Sequence, residues 1–179
     1  MNKWDDAPFS PEGFLEKMNE ADRDESLYGL IPPYAKSVID LACGPAGLLR
    51  DRKPFFEYTG VDSCDKYMEW CRKKYPEQTF IVEDINSFTF KKRYDVCCVK
   101  SALYYVVDVP AFLEKVLNNC DMLILVTERF IYGGEDEVRI NVVCGCEFEH
   151  RVFGIDKFLE DIKKYDVTQN GKVLIMRKK

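Results

Sequence analysis

The chain predicts an α/β fold: a mostly parallel sheet with helices on its faces, closed by a terminal hairpin. Three observations predict it. Short apolar runs at Val38–Leu41 (interrupted by Asp40), Val96–Val99 and Met122–Val126 read as strands buried on both faces. Between them, apolar residues recur at helical spacing, as in Cys64, Met68, Cys71 and Tyr75, or Phe112, Leu113, Val116, Leu117 and Cys120. Near the end, Asn170-Gly171 separates two strand-like runs, a strong signal for a two-residue hairpin turn. With 179 residues, 46% of them hydrophobic, one domain spanning residues 1–179 is expected.

The elements follow in order. Ser10-Pro11-Glu12 opens a helix carrying Phe14, Leu15 and Met18, and a second short helix is expected over 24–30 before Pro32-Pro33. Ser37–Leu41 is the first core strand. A loop of small residues, Ala42-Cys43-Gly44-Pro45-Ala46-Gly47, leads into a short helix that Pro54 stops. Pro45 suits the first helical position, and free N–H groups at such a start would bind a carboxylate or phosphate. Glu57–Val61 is the next strand and ends in Asp62; Ser63 or Asp62 caps the helix over 64–75. Thr79–Val82, Tyr94–Val99 and Met122–Val126 are further strands, with a helix opened by Pro110 between the last two. Val138–Cys146 is expected as one extra strand or extended flap, and Ile155, Phe158, Leu159 and Ile162 mark the final helix.

Composition narrows the function classes. A net charge of −5 argues against a surface built to grip nucleic acid or an anionic membrane. Met1–Asp6 is polar and acidic, without the apolar core of a signal peptide, and no run approaches the roughly 18 apolar residues of a membrane span. The eight cysteines lie mostly within expected strands and helices, which reads as reduced thiols in a cytoplasmic protein. Cys144-Gly145-Cys146 has no second pair at ligand spacing and the chain has one histidine, so no metal site is expected.

The small-residue loop carries the chemistry. Residues 42–47 read A-x-G-x-x-G, one substitution from a dinucleotide fingerprint, and residues 40–47 read D-x-A-x-G-x-A-G. Asp40 separates the two readings, since a carboxylate there repels a diphosphate and favours a cationic ligand. Asp62 follows Asp40 by 22 positions, where an acidic residue at the tip of a second strand binds a ribose diol. A third acid, Asp84, follows the third strand.

This series resembles the class I S-adenosylmethionine (SAM) dependent methyltransferases of small-molecule type, over roughly residues 30–179. The resemblance implies a Rossmann-like three-layer sandwich with a mostly parallel seven-stranded sheet and an antiparallel last strand. It implies SAM as cofactor, held by Asp40, Ala42, Cys43, Gly44, Gly47, Asp62, Ser63, Asp84, Ile85, Lys100 and Ser101. Asp62 would take the ribose, Asp84 and the Ile85 N–H the adenine, and Lys100 or Ser101 the methionyl amino group. Residues 1–33 would form a helical lid. Ala42 and Ala46 depart from the family's glycines.

The acceptor side is less defined. Tyr104, Tyr105 and Tyr28 are candidate substrate residues. His150, the sole histidine, is a candidate general base because its ordinary pKa lies near neutrality. After the fourth strand there is no Asn/Asp-Pro-Pro-Tyr and no Pro-Cys, which favours a small-molecule acceptor. A catalytically silent methyltransferase-like partner subunit and a nicotinamide-dependent oxidoreductase remain as alternatives.

Overall fold

The computed structural model describes residues 10–19, 27–50, 52–126, 130–131, 135–143 and 146–179. Helix α1 (Pro11–Asn19) begins where Ser10 Oγ accepts the Gly13 N–H at 3.1 Å. The strands β1 (Ser37–Leu41), β2 (Glu57–Asp62), β3 (Thr79–Val82), β4 (Tyr94–Lys100) and β5 (Cys120–Val126) alternate with helices α2 (Asp65–Lys74) and α3 (Val109–Asn119). Asp108 caps α3 by accepting the Ala111 N–H at 3.0 Å, and Pro110 sits inside its first turn. After β6 (Phe130–Ile131), β7 (Glu137–Val143) and β8 (Cys146–Gly154) come α4 (Ile155–Ile162), β9 (Tyr165–Asn170) and β10 (Val173–Lys178). Among the described residues, no helix is long and apolar enough to cross a membrane.

The main sheet has seven strands in the order β3-β2-β1-β4-β5-β10-β9. β1 through β5 run parallel, and β10 inserts antiparallel between β5 and β9. This is the Rossmann-like arrangement with an antiparallel last strand. An ordinary dinucleotide domain ends on a parallel strand, so the antiparallel β10 counts against the nicotinamide reading.

Alternation along the strands builds the three layers. Ile39, Leu41, Cys97, Val99, Leu123 and Leu125 pack against Phe112, Leu113, Val116 and Leu117 of α3 and Phe158 and Ile162 of α4. Their neighbours Val38, Tyr58, Val96, Cys98, Met122 and Ile124 face the opposite way, onto Leu27 and Ile31 and onto Met68 and Cys71 of α2. At the start of β1, Asp95 Oδ2 accepts the backbone N–H groups of Lys36 and Ser37 at 2.6 and 2.8 Å, which fixes how the chain enters the sheet. Cys43, Cys64, Cys71, Cys97, Cys98 and Cys120 are all free thiols, and all but Cys43 are buried.

Three expectations change. The helix expected after the small-residue loop is a single 3-10 turn, Gly47–Leu49. Ala46 before it is left-handed, and Arg50 after it leaves helical geometry with ψ of 121°, so no α-helix propagates toward Pro54. The single flap over 138–146 is two strands: β7 and β8 pair antiparallel, and with β6 they make a separate three-stranded sheet. The terminal turn is shifted by one residue. Asn170 pairs with Val173, so Gly171 and Lys172 are the turn residues, with Gly171 at φ +57° as the first position of a type II′ turn requires.

Candidate functional site

The carboxyl ends of β1, β2, β3 and β4 meet at one edge of the sheet, and most sequence-predicted site residues meet there. The loop after β1 turns back by placing alternate residues in the left-handed region: Ala42 at φ +56°, Gly44 at +54° and Ala46 at +55°. Two hydrogen bonds tie it to β2. The Cys43 N–H donates to the Val61 carbonyl at 3.0 Å, and the Gly44 N–H donates to Asp62 Oδ2 at 2.8 Å. Gly60 permits this approach, because a Cβ there would lie 2.9 Å from both Cys43 Sγ and Phe80 Cδ1.

Asp62 is the hinge of the site. Its Oδ1 accepts the Cys64 N–H at 2.8 Å while Oδ2 holds Gly44. One carboxylate therefore fixes both the small-residue loop and the start of α2. Each oxygen keeps acceptor capacity for a further donor. Burial pushes the Asp62 carboxyl upward against these two N–H donors, and the nearby Asp84 charge adds to the rise. Ser63 lies beside it, half-buried.

Asp40 is buried, and its Oδ2 accepts the Tyr58 hydroxyl at 2.9 Å. Burial raises its carboxyl to about 7; the Tyr58 hydrogen bond opposes the rise and the Asp62 charge adds to it. The same burial pushes the Cys43 thiol well up and the Cys71 thiol to about 12, so neither is a reactive thiolate at neutral pH.

The Glu83 N–H donates to the Asp62 carbonyl at 3.1 Å, which brings the turn after β3 alongside. Asp84 is exposed and starts an Asx turn in which Oδ1 accepts the Asn86 backbone N–H at 2.8 Å. Ile85 is buried beneath this turn. Lys100 closes β4 opposite Val126, and Ser101 follows at φ +51°, its N–H directed to the Val126 carbonyl at 3.4 Å. Tyr104 and Tyr105 stand in a 3-10 turn, Leu103–Tyr105, as an edge-on pair with ring centroids 4.5 Å apart.

Tyr28 stands apart from this cluster. Tyr28 packs on Phe55 and Phe56, with the Arg52 guanidinium 4.9 Å from its ring centre. Phe55 and Phe56 precede the amino end of β2, so Tyr28 sits at the opposite edge of the sheet. His150 lies in β8 with its backbone opposite Arg139 of β7. Of the Cys144-Gly145-Cys146 stretch, residues 144 and 145 fall outside the described residues. Among the described residues, no group of three or more His, Cys, Asp or Glu could hold a metal ion.

Sequence reasoning missed Phe14, Tyr58 and Asn86. Phe14 packs on Tyr67 with ring centroids 5.6 Å apart and reaches within 3.7 Å of where a Gly44 Cβ would stand. The Trp70 indole N–H donates to Glu12, so α1 is held across α2 next to the small-residue loop. No local pattern marks Phe14 or Tyr58, since their partners lie far away in the chain. Asn86 was legible in part, because Asp-x-Asn is an Asx-turn pattern.

The edge offers acceptor oxygens from the carboxyl groups of Asp62 and Asp84, and two aromatic rings. Such a set suits a ligand rich in donors and positive charge: a diol, an amine, a cation.

Comparison with known proteins agrees with the fold. Residues 38–121 match the family model described as a methyltransferase domain. A trans-aconitate 2-methyltransferase of Enterobacter sp. (strain 638) is 29% identical over 117 residues, 63% of this chain and 46% of that protein. The chain therefore spans less than half the length of that relative. The crystal structure of DesVI from Streptomyces venezuelae superposes with a TM-score of 0.68 at 12% identity, covering 93% of this chain and 94% of that one. SAM-bound CalS10, an amino pentose methyltransferase from Micromonospora echinaspora, superposes with a TM-score of 0.62 at 13% identity, covering 92% and 90%. At these identities the likeness to the two structures is one of fold.

Proposed function

We propose that this chain is a methyltransferase, in keeping with the match of residues 38–121 to the methyltransferase-domain model, that it binds SAM at this sheet edge, and that it transfers the methyl group to a small-molecule acceptor. The observation that carries the reading is Asp62. Its two oxygens lock the small-residue loop to β2 and α2 and still have room to accept the ribose hydroxyls. Asp84, exposed at the next strand end, suits the adenine amine, which only donates. The carboxylates of Asp62 and Asp84 give the edge the negative field that a sulfonium and an ammonium require. Gly44, left-handed and without a Cβ, leaves the backbone open beside Phe14. The residues present therefore fit the cofactor. One part of the expectation is withdrawn: no α-helix start lies over Gly44–Gly47 to take a carboxylate.

When bound, SAM supplies an electrophilic methyl group on a sulfonium. This chain's residues then have to orient an acceptor in line and keep water out. Tyr104 and Tyr105 border the edge from the β4 side, and β8 runs next to their turn. A general base is needed only for a protonated nucleophile such as a hydroxyl. The region over residues 1–33 would contribute to a cover, with α1 already packed on α2.

Calorimetric titration with S-adenosylhomocysteine tests the reading, with NAD as the counter-ligand. Saturable binding of S-adenosylhomocysteine, lost in Asp62→Ala and absent for NAD, supports it. A folded protein that binds neither ligand refutes it and favours a silent partner subunit. Screening acceptors for a product one methylene heavier then identifies the substrate, and transfer of another part of SAM would show as a different mass gain.

A further inference from the structure

We infer that Asn86 is a positioning residue that couples the cofactor carboxylate Asp84 to the acceptor-side turn and to β8; the inference rests on the SAM reading above. Asn86 uses every polar atom it has. Its backbone N–H and its Nδ2 both donate to Asp84 Oδ1, at 2.8 and 2.9 Å. Nδ2 also donates to the Tyr105 carbonyl at 3.1 Å, and Oδ1 accepts the Val107 N–H at 2.8 Å. Lys115 Nζ, on α3, donates to the Asn86 and Phe88 carbonyls at 3.3 and 3.0 Å and clamps the turn from beneath. From Val107 the chain of contacts continues: Arg151 Nη1 of β8 donates to the Val107 carbonyl at 2.8 Å.

A single exposed amide thus links the adenine-side acid after β3, the aromatic pair after β4 and the three-stranded sheet. The residue type is demanding. Two donors and one acceptor on one short planar group are what an asparagine has. Aspartate keeps the acceptor for Val107 but loses both donors and sets a second negative charge beside Asp84. Alanine loses all the side-chain bonds. Glutamine shifts the amide outward by one carbon.

The consequence is that filling the nucleoside site orders the Tyr104–Tyr105 turn and β8, and that a change at β8 is felt by the cofactor. A double-mutant cycle measures this coupling. S-adenosylhomocysteine is titrated into wild type, Asn86→Ala, Arg151→Ala and the double variant, with thermal unfolding of each as the folding control. Asn86→Ala is expected to weaken binding about tenfold, in keeping with a net loss near that of one or two hydrogen bonds. Arg151→Ala, which touches neither cofactor carboxylate, is expected to weaken binding roughly threefold in wild type and not at all in the Asn86→Ala background. Arg151→Lys, which keeps a donor, restores most of that loss. A purely structural Arg151 would give the same factor in both backgrounds, and that result overturns the inference, as does an unchanged affinity in Arg151→Ala. If Asn86→Ala does not fold, Asn86→Ser takes its place in the cycle. Absence of binding to wild type removes the cofactor reading and this inference with it.

Discussion

Ala42→Gly should make this protein more stable, and Ala46→Gly should gain less. Both alanines hold left-handed backbone, at φ +56° and +55°. That conformation costs an L-residue about 1–2 kcal/mol, because its Cβ crowds the following carbonyl. Glycine removes the cost but gives back about 0.5–1 kcal/mol in chain entropy. The two sites differ in burial. Ala46 is wholly buried in the core layer facing α2, whereas Ala42 is half-buried. Deleting a buried methyl costs up to about 0.8 kcal/mol, nearly all of it at residue 46 and a fraction at residue 42. The net expectation is roughly +0.5 kcal/mol for Ala42→Gly and about zero for Ala46→Gly. For a chain of this size 1 kcal/mol moves Tm by about 2–4 °C, so Ala42→Gly gains a degree or two. Urea unfolding with a common slope, supported by thermal melts, measures both. A loss of 1 kcal/mol or more in Ala42→Gly would mean that residue 42 lies in the ordinary negative-φ region and that the loop geometry is wrong.

Other outcomes follow from the same contacts. Gly60→Ala should destabilise by about 1–3 kcal/mol in urea unfolding, since its Cβ meets Cys43 Sγ and Phe80 Cδ1 at 2.9 Å, and Cys43→Ala should recover part of the loss. Tyr58→Phe leaves the Asp40 carboxylate without its 2.9 Å donor and should cost about 1–3 kcal/mol above pH 7, shrinking as Asp40 protonates. Asp40, raised by burial to about 7 from 3.8, binds its proton in the folded state where the unfolded chain has released it. Its contribution therefore makes stability fall as pH rises from about 4 to 7, and Asp40→Asn should flatten that fall in a series of melts. Asp95 and Asp136 act oppositely: backbone and side-chain donors outweigh burial and hold both below 3.8, so the stability they add is lost only at more acid pH.

The order of strands and helices was legible because buried parallel strands and amphipathic helices leave strong periodicities. Ser37–Leu41 and Thr79–Val82 are observed with the bounds expected. The acids at the strand ends were legible because a strand's carboxyl end is a fixed address in this architecture. The remainder depended on long-range contact. Nothing near Pro45 announces that Ala46 is left-handed; the bond from Gly44 to Asp62 and the Cys43 bond to Val61 hold the loop, and both partners belong to another strand. Tyr28 looked like a lid aromatic, yet Phe55 and Phe56 hold it at the far edge. The hairpin turn moved by one residue because pairing of Asn170 with Val173, set by β10 against β5, fixes the register.

The most direct measurement is a crystal structure of the protein with S-adenosylhomocysteine. The ribose hydroxyls are expected on the Asp62 carboxylate and the adenine amine at Asp84, with the Gly44 N–H still held by Asp62. A nucleoside bound away from the ends of β1, β2 and β3, or one that displaces Asp62 from Gly44, would contradict this expectation.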